Sequence, residues 1–518
     1  MAQHRTAQPA SALGFPSQSS SNSTSLPQSH EYLPPQANLP LTTPTSSKPS
    51  YTQLQKVITI SLVTLAASLS SISSNIYFSI LPTLSADFSI SPTLINLTVT
   101  TYMVFQSLSP TLWGALSDSY GRRIIYLLTL TIYVGACTGL AESKTYYQLL
   151  ILRAVQSTGS ASTVALGAGV VGDVTSREER GGWMGIFQAG LLVPLAAGPV
   201  LGGGLAEALG WRSVFWALVI FGGGVLVAVS VFLPETLTGL RYGGRWYTLR
   251  PIGGCSRWQQ AKKKDVEGGV AISQQGKEAD KKVTLDFWTP LKLVGGGEVT
   301  CIILFISLYY TVWQMTITAI STLFESSYGL SSTQIGLTFI ANGAGCIIGT
   351  ILTGKFMDLD YIKVKTAYNG PDEDFPLEKA RLRTVWIWSG MQIASTLVFG
   401  WTLNQKVHVS VPIICTFFLG WAATSTQSVV TTFLVDVFHG RSASATAALN
   451  MARCLMGAGG TAAILPIIKA IGTGWALTLW VGVMALGLVL VFVQMKWGVG
   501  WRRKREERER EEKLVREK

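Results

Sequence analysis

The decamer Gly114-Ala-Leu-Ser-Asp118-Ser-Tyr-Gly121-Arg122-Arg123 separates two strongly apolar stretches, Leu108–Trp113 and Ile124–Val134. A polar segment with one aspartate and two arginines between greasy flanks reads as a tight loop between two membrane helices. Gly121 permits the reversal, and Asp118 can pair with Arg122 or Arg123. Gly114 is expected to let its helix pack closely on a neighbour.

The rest of the chain fits that reading. Charged residues make up 14% of the 518 residues, against roughly 25% in ordinary soluble domains, and the mean hydropathy is +0.34. Apolar segments long enough to cross a ~30 Å hydrocarbon core recur from Val57 onward. Twelve are predicted, over 57–81, 94–116, 124–142, 147–171, 183–207, 211–233, 298–323, 333–357, 384–404, 409–434, 443–468 and 474–497. The fold class expected is therefore all-α and integral to the membrane, with twelve transmembrane helices. The expected divisions are an unstructured Ser/Pro/Gln-rich tail over 1–50, a six-helix bundle over 51–236, a central polar loop over 237–297, a second bundle over 298–497 and a charged tail over 498–518.

Lysine and arginine set the orientation. With the N-terminus inside, the inner loops hold twenty-two of them and the outer loops four, Lys144, Arg212, Lys406 and Lys469. Both termini are expected to be cytoplasmic. The net charge of +12 is thus accounted for by topology, and nucleic-acid binding is not required. The expected partners are the bilayer, a small-molecule substrate and protons, for a chain that functions as a monomer. The six cysteines are scattered and form no metal or disulfide pattern. No cofactor, metal or enzymatic motif is expected.

The two halves echo each other. Gly114–Asp118 matches Gly354–Asp358 at an offset of 240, Asp173 matches Asp436 at 263, Arg180 matches Arg441 at 261, and Gly202-Gly203 matches Gly459-Gly460 at 257. Such a parallel repeat is the pattern of transporters whose halves rock about a midplane site.

G-x-L-x-D-x-x-G-R-R over 114–123 resembles the signature loop of the major facilitator superfamily. Leu149–Ser160, with Arg153 inside the fourth segment, resembles the helix-4 motif of its proton-coupled drug exporters. Ala197-Gly198-Pro199-Val200-Leu201-Gly202-Gly203 resembles their helix-5 antiporter motif, and Leu233-Pro-Glu-Thr236 closes the sixth segment as in twelve-helix fungal members. Ser73–Phe78, Tyr328–Ser332 and Ser442–Ala447 are similar to the fungal quinidine-resistance group, which includes the citrate exporter of filamentous fungi. The resemblance spans roughly 55–500 and implies two pseudo-symmetric six-helix bundles.

It also implies an exporter of drugs, toxins or secondary metabolites at the plasma membrane, working by alternating access in exchange for protons, with uniport down a gradient left open. The alternatives are an organic-acid exporter and a non-transporting receptor on the same fold. A conformational latch of Gly114, Asp118, Gly121, Arg122, Arg123 and Asp173 would meet the start of the eleventh helix. Arg153 would serve proton coupling, or simply helix packing, and Arg453 would contact an anion or pair with a polar neighbour. Gly198, Pro199, Gly202 and Gly203 would bend the fifth helix and let the halves meet.

Polar and aromatic residues on the helices suggest a cavity lined by Asn75, Tyr77, Tyr102, Gln106, Gln188, Trp313, Gln314, Asn342, Gln427 and Asn450. Each also serves as interhelical glue equally well. No carboxylate lies mid-helix; Asp87, Glu142, Glu207, Glu325, Asp173 and Asp436 are the nearest candidates to titrate. Uncharged Phe187–Pro194 speaks slightly against a tricarboxylate.

The second half keeps the Gly and Asp of the signature loop but has Leu359-Asp-Tyr-Ile-Lys363 where Gly-Arg-Arg is expected. Asp118→Asn should therefore impair transport more than Asp358→Asn in a vesicle uptake assay. Equal losses would remove the asymmetry.

Overall fold

A computed structural model describes residues 51–175, 179–236, 299–368, 376–438 and 442–517. The N-terminal tail, the whole central loop, and Arg177 and Arg441 lie outside the described residues. Twelve long helices follow one another: α1 Gln53–Asn75, α2 Pro92–Tyr120, α3 Arg122–Ala141, α4 Tyr146–Val174, α5 Arg180–Leu209, α6 Arg212–Phe232, α7 Thr300–Tyr328, α8 Ser332–Ala367, α9 Val385–Asn404, α10 Ser410–Val437, α11 Ser442–Ile471 and α12 Thr473–Glu517. Among the described residues, two short helices, Leu81–Asp87 and Leu377–Leu382, and a 3-10 turn at Phe78–Ile80 complete the order.

The first predicted span ends early, because α1 stops at Asn75 and the chain continues as the turn and the short helix. The last runs on without a break into the charged tail. There alternating Arg and Glu place opposite charges three and four residues apart, which supports a helix that has left the apolar phase.

Among the described residues, nine helical stretches are apolar enough by composition to cross a membrane. The three long helices outside that set are α2, α4 and α9. Their polar residues turn inward: Thr98 and Ser107 on α2, Gln156, Ser157, Ser160 and Thr163 on α4, and Ser389, Gln392 and Thr396 on α9 are all nearly inaccessible. These polar faces meet other helices, so the average composition of the three helices understates their role as spans. On the outer ones the large apolar side chains point away from the protein, with Ile220 76% and Leu486 72% exposed.

Within each half the helices approach to backbone contact. A Cβ on Gly159 of α4 would sit 2.7 Å from the Thr129 carbonyl oxygen and 2.8 Å from the Tyr133 nitrogen of α3. On α10, Gly420 lies against the Asn342 backbone of α8, and a Cβ there would sit 3.0 Å from Cys346. Small residues at such crossings are what membrane helices need to gain close packing.

Between halves, α5 lies along α8 and α2 along α11. The chain reverses at Gly121 on one face, here called the basic face, and at Gly210, Gly329 and Gly472 on the opposite face. Among the described residues, the cross-half hydrogen bonds fall between mid-helix and the opposite face: Ser321 donates to Phe78 O at 2.6 Å, Thr83 pairs with Ser332 at 3.0 Å, and Thr100 pairs with Thr461 at 3.1 Å. Phe78 also stacks on Phe339 across the seam, with centroids 6.1 Å apart.

Gly159→Ala should force α3 from α4 and cost about 1–3 kcal/mol, read as a lower midpoint of thermal unfolding in detergent. Gly114→Ala, with open space where its Cβ would go, should leave that midpoint unchanged or slightly raised.

Candidate functional site

The basic-face cluster is built on the turn at Gly121. Its φ of +101° is open to glycine and strained for other residues. A Cβ there would also strike the Glu235 carboxylate at 2.6 Å. Glu235 accepts from the backbone N–H groups of Arg122 at 2.9 Å and Arg123 at 3.1 Å. A carboxylate thus occupies the start of α3, where orphan N–H groups and the helix dipole favour negative charge.

Arg122 pairs with Asp118 at 2.7 Å and with Asp173 at 3.3 Å, and donates to Ser117 Oγ at 2.6 Å. Arg123 donates to the Ser230 carbonyl at 2.5 Å. The ends of α2, α3, α4 and α6 are thereby tied together. Tyr51, just before α1, lies at the same face; burial and then the neighbouring Asp173 and Glu235 carboxylates push its phenol above its ordinary pKa.

Asp118, Gly121, Arg122, Arg123 and Asp173 are brought together as expected, but Gly114 is not part of the packing. No atom comes within 4 Å of where its Cβ would stand, so its lack of a side chain is unused in this conformation. The side chains at the start of α11 lie outside the described residues.

The second half carries its own bridge. Arg381 donates to Asp436 at 2.7 Å and lies 4.2 Å over the Tyr361 ring. Asp436 is the repeat counterpart of Asp173, and its arginine comes from the short helix Leu377–Leu382. The missing Gly-Arg-Arg is thus made good eighteen residues beyond Lys363, by a residue that no local motif marked. Asp358 itself is exposed.

Arg153 is 1% exposed. Its guanidinium carbon lies 4.0 Å from the Tyr77 ring centre and 4.2 Å from that of Tyr102. It donates to Gln156 Oε1 at 2.6 Å and to the Ser73 carbonyl at 3.3 Å. Its ion-pair partner is not a carboxylate among the described residues; two aromatic faces and two oxygens take that place. The tyrosines are held in turn, Tyr77 by Thr98 at 2.7 Å and Tyr102 by Ser160 at 2.9 Å. Two of the expected cavity residues, Tyr77 and Tyr102, therefore form the walls of the arginine's cage.

Arg453 is half-buried on α11. It donates twice to Asn450 Oδ1, at 3.2 and 2.9 Å, and lies 4.9 Å from the Tyr310 ring centre. Tyr310 meets Trp313 edge-on, and Trp313 donates to Asn342 at 3.3 Å. Asn450, Trp313 and Asn342 thus form one network around Arg453, to which sequence reasoning did not assign Tyr310.

Met103 joins the two arginine sites. It follows Tyr102 on α2 and lies 2.7 Å from where a Cβ on Gly457 would sit, with the Tyr310 ring 3.1 Å from the same point. Asn75 donates to the Ser71 carbonyl of its own helix. Gln106 and Gln427 are half-buried, Gln314 is buried and Gln188 is exposed. A cavity of about 190 Å³ near the opposite face is lined instead by Leu81, Ser85, Asn96, Thr322 and Glu325 among others.

The helix-5 motif divides its work. Helix α5 runs unbroken through Pro194 and Pro199. Gly198 and Gly202 face Asn75, Ile76 and Ser79 of their own half, and only Gly203 of the glycines faces the other half, at Ser332 and Thr333. Gly336 of α8 answers it against the Pro199 carbonyl. Two of the glycines expected at the seam therefore serve packing within the half.

Residues 63–461 match the Major Facilitator Superfamily. The chain belongs to that superfamily. It is 37% identical over 481 residues to citrate exporter 1 of Aspergillus niger, covering 88% of this chain and 89% of that one. It is 30% identical to the MFS antiporter QDR2 of Candida albicans, covering 87% and 90%, and 31% identical to the multidrug transporter AQR1 of Candida glabrata, covering 87% and 77%. A solved structure of the human organic anion transporter MFSD10 (TETRAN) superposes with a TM-score of 0.56 at 17% identity, covering 84% of this chain and 99% of that one; this likeness concerns the fold. The protein is a multi-pass membrane transporter of small molecules.

Arg153→Lys keeps the charge but loses the flat guanidinium that lies against two rings. It should lower transport roughly tenfold or more, as expected from cation–π contacts in a dry site. Tyr77→Phe should retain most activity, since the ring remains. Equal turnover by Lys and Arg at matched protein level would show that charge alone suffices.

Proposed function

We propose that the protein exports small organic compounds, drugs or endogenous metabolites, across the plasma membrane by alternating access in exchange for protons, with both termini cytoplasmic. The observation that carries the reading is the one-sided seam. Cross-half hydrogen bonds run from mid-helix to the opposite face, while Arg122 and Arg381 at the basic face bond within their own halves. With the basic face cytoplasmic, such a seam among the described residues suits a form open to the cell interior, from which an exporter loads. The relatives named as an exporter, an antiporter and a multidrug transporter support the direction and the coupling.

The latch reading assigns Asp118, Arg122 and Asp173 to the state closed at the basic face. Their bridges stand ready within one half, and Glu235 holds the α3 end to which Arg122 belongs. A partly buried charge network of this kind has discrete arrangements and can bias a two-state equilibrium.

Organic acids are the second reading, and Arg453 favours it. Its guanidinium is held by a neutral amide and an aromatic ring and has no carboxylate partner among the described residues, so a substrate carboxylate can take that role. The Aspergillus niger relative points the same way, although the α5 run Phe187–Pro194 offers no cation.

Inside-out vesicles supplied externally with labelled citrate or a neutral drug decide between them. Collapsing the proton gradient should abolish accumulation; unchanged accumulation removes the antiport claim. Arg453→Gln should abolish carboxylate flux and spare the neutral drug if organic acids are the cargo.

A further inference from the structure

One carboxylate crosses the seam between the halves. Glu207, near the end of α5, accepts the backbone N–H of Thr333 on α8 at 3.0 Å. The start of α8 shows why that N–H is available. Ser331 and Gln334 form a capping box: Ser331 Oγ accepts from Gln334 N, and Gln334 Oε1 accepts from Ser331 N. Ile335 N–H is taken by the Ser331 carbonyl. The N–H groups of Ser332 and Thr333, the first two helical residues, have no acceptor within α8. Glu207 fills the second from the other half and places negative charge at the positive end of the helix.

The surroundings hold the two groups in register. Gly203, one turn earlier on α5, admits the α8 backbone: a Cβ there would stand 2.8 Å from the Ser332 carbonyl carbon and 3.0 Å from Thr333 Cα. Thr83 of the short helix reaches Ser332 Oγ at 3.0 Å.

The pseudo-symmetric seam is built differently. There α11 lies on α2, and the hydroxyls of Thr100 and Thr461 meet at 3.1 Å. Helix α2 opens with Pro92, which has no N–H to offer, and α11 contains no Asp or Glu. Among the described residues, the charged contact therefore belongs to one seam alone.

We propose that Glu207 is a positioning residue for the conformational cycle: it caps α8 across the seam only while the halves are closed at the opposite face, and so biases the protein toward that state. The carboxylate is exposed, so the bond is weak and can be given up to water in each cycle, as a gate requires. The inference deepens the alternating-access reading and rests on it.

The test reads conformation without transport. Spin labels at Lys144 and Gln405, both exposed at the opposite face and remote from Glu207 in sequence, are introduced into the full chain with its native cysteines replaced by serine, in sealed liposomes. Glu207→Ala should raise the population with the longer inter-label distance about two- to fivefold, the factor expected from losing a charge at a helix end. Glu207→Gln, which keeps an acceptor, should give a smaller shift, and it carries the test by the same criterion if the alanine variant fails to fold. A responsive parent with variants that match its distance distribution overturns the role of Glu207. A parent showing one unchanging distance with and without a proton gradient overturns alternating access, and this inference with it.

Discussion

The reversal at Gly121 is the constraint on which the basic face depends. A positive φ there lets α2 turn into α3 within one residue, and the absence of a Cβ leaves room for the Glu235 carboxylate. With Glu235 on the first N–H groups of α3, Arg122 is presented to Asp118 on one side and Asp173 on the other. Four helix ends are thus fixed by one residue's missing side chain. Replace it, and the carboxylate, both arginines and the bridge to α4 lose their common origin.

A different solution serves the buried charge. Arg153 has no carboxylate against it in a place where an unpaired charge is expensive. Two tyrosine faces, an amide oxygen and a carbonyl share the load, and each tyrosine is oriented by a hydroxyl from α2 or α4. Such a cage is selective for a flat cation. It also leaves the positive charge without a permanent counter-ion, which an anionic substrate or a carboxylate moving with the cycle can exploit. The Arg453 network repeats the principle with one ring and one amide and is more open, as a site that exchanges partners must be.

The fold was legible because hydropathy, charge bias and the repeat are properties of residue type alone. The twelve helices and the turn at Gly121 follow from them. Contacts that depend on direction were not legible. Gly114 and Gly203 look alike in a motif, yet one faces open space and the other the backbone of α8. Gly198 and Gly202 are turned toward their own half by the helical period, which a motif does not display. Tyr310 was missed because an aromatic residue on an apolar helix resembles core. Arg381 was missed because the chain between Asp358 and the ninth helix is longer than its counterpart, so its arginine falls outside the expected spacing.

The repeat therefore conserves relations more faithfully than positions. Each half keeps an Asp–Arg bridge at the end of its fourth helix, but the arginine comes from the start of α3 in one and from a short helix in the other. Each half also lends a helix to a seam, but α5 meets α8 through glycine, backbone and a carboxylate, whereas α2 meets α11 through methionine and threonine. Strict symmetry would make the two seams equivalent and give the halves no reason to prefer one closed state. Unequal chemistry at equivalent places supplies that preference, since a charge present in only one arrangement shifts the balance by its differential interaction with the two states. In this chain the inequality lies where the halves touch at the opposite face and where the bridges stand at the basic face. These are the two places at which a rocking pair of bundles must choose between its states.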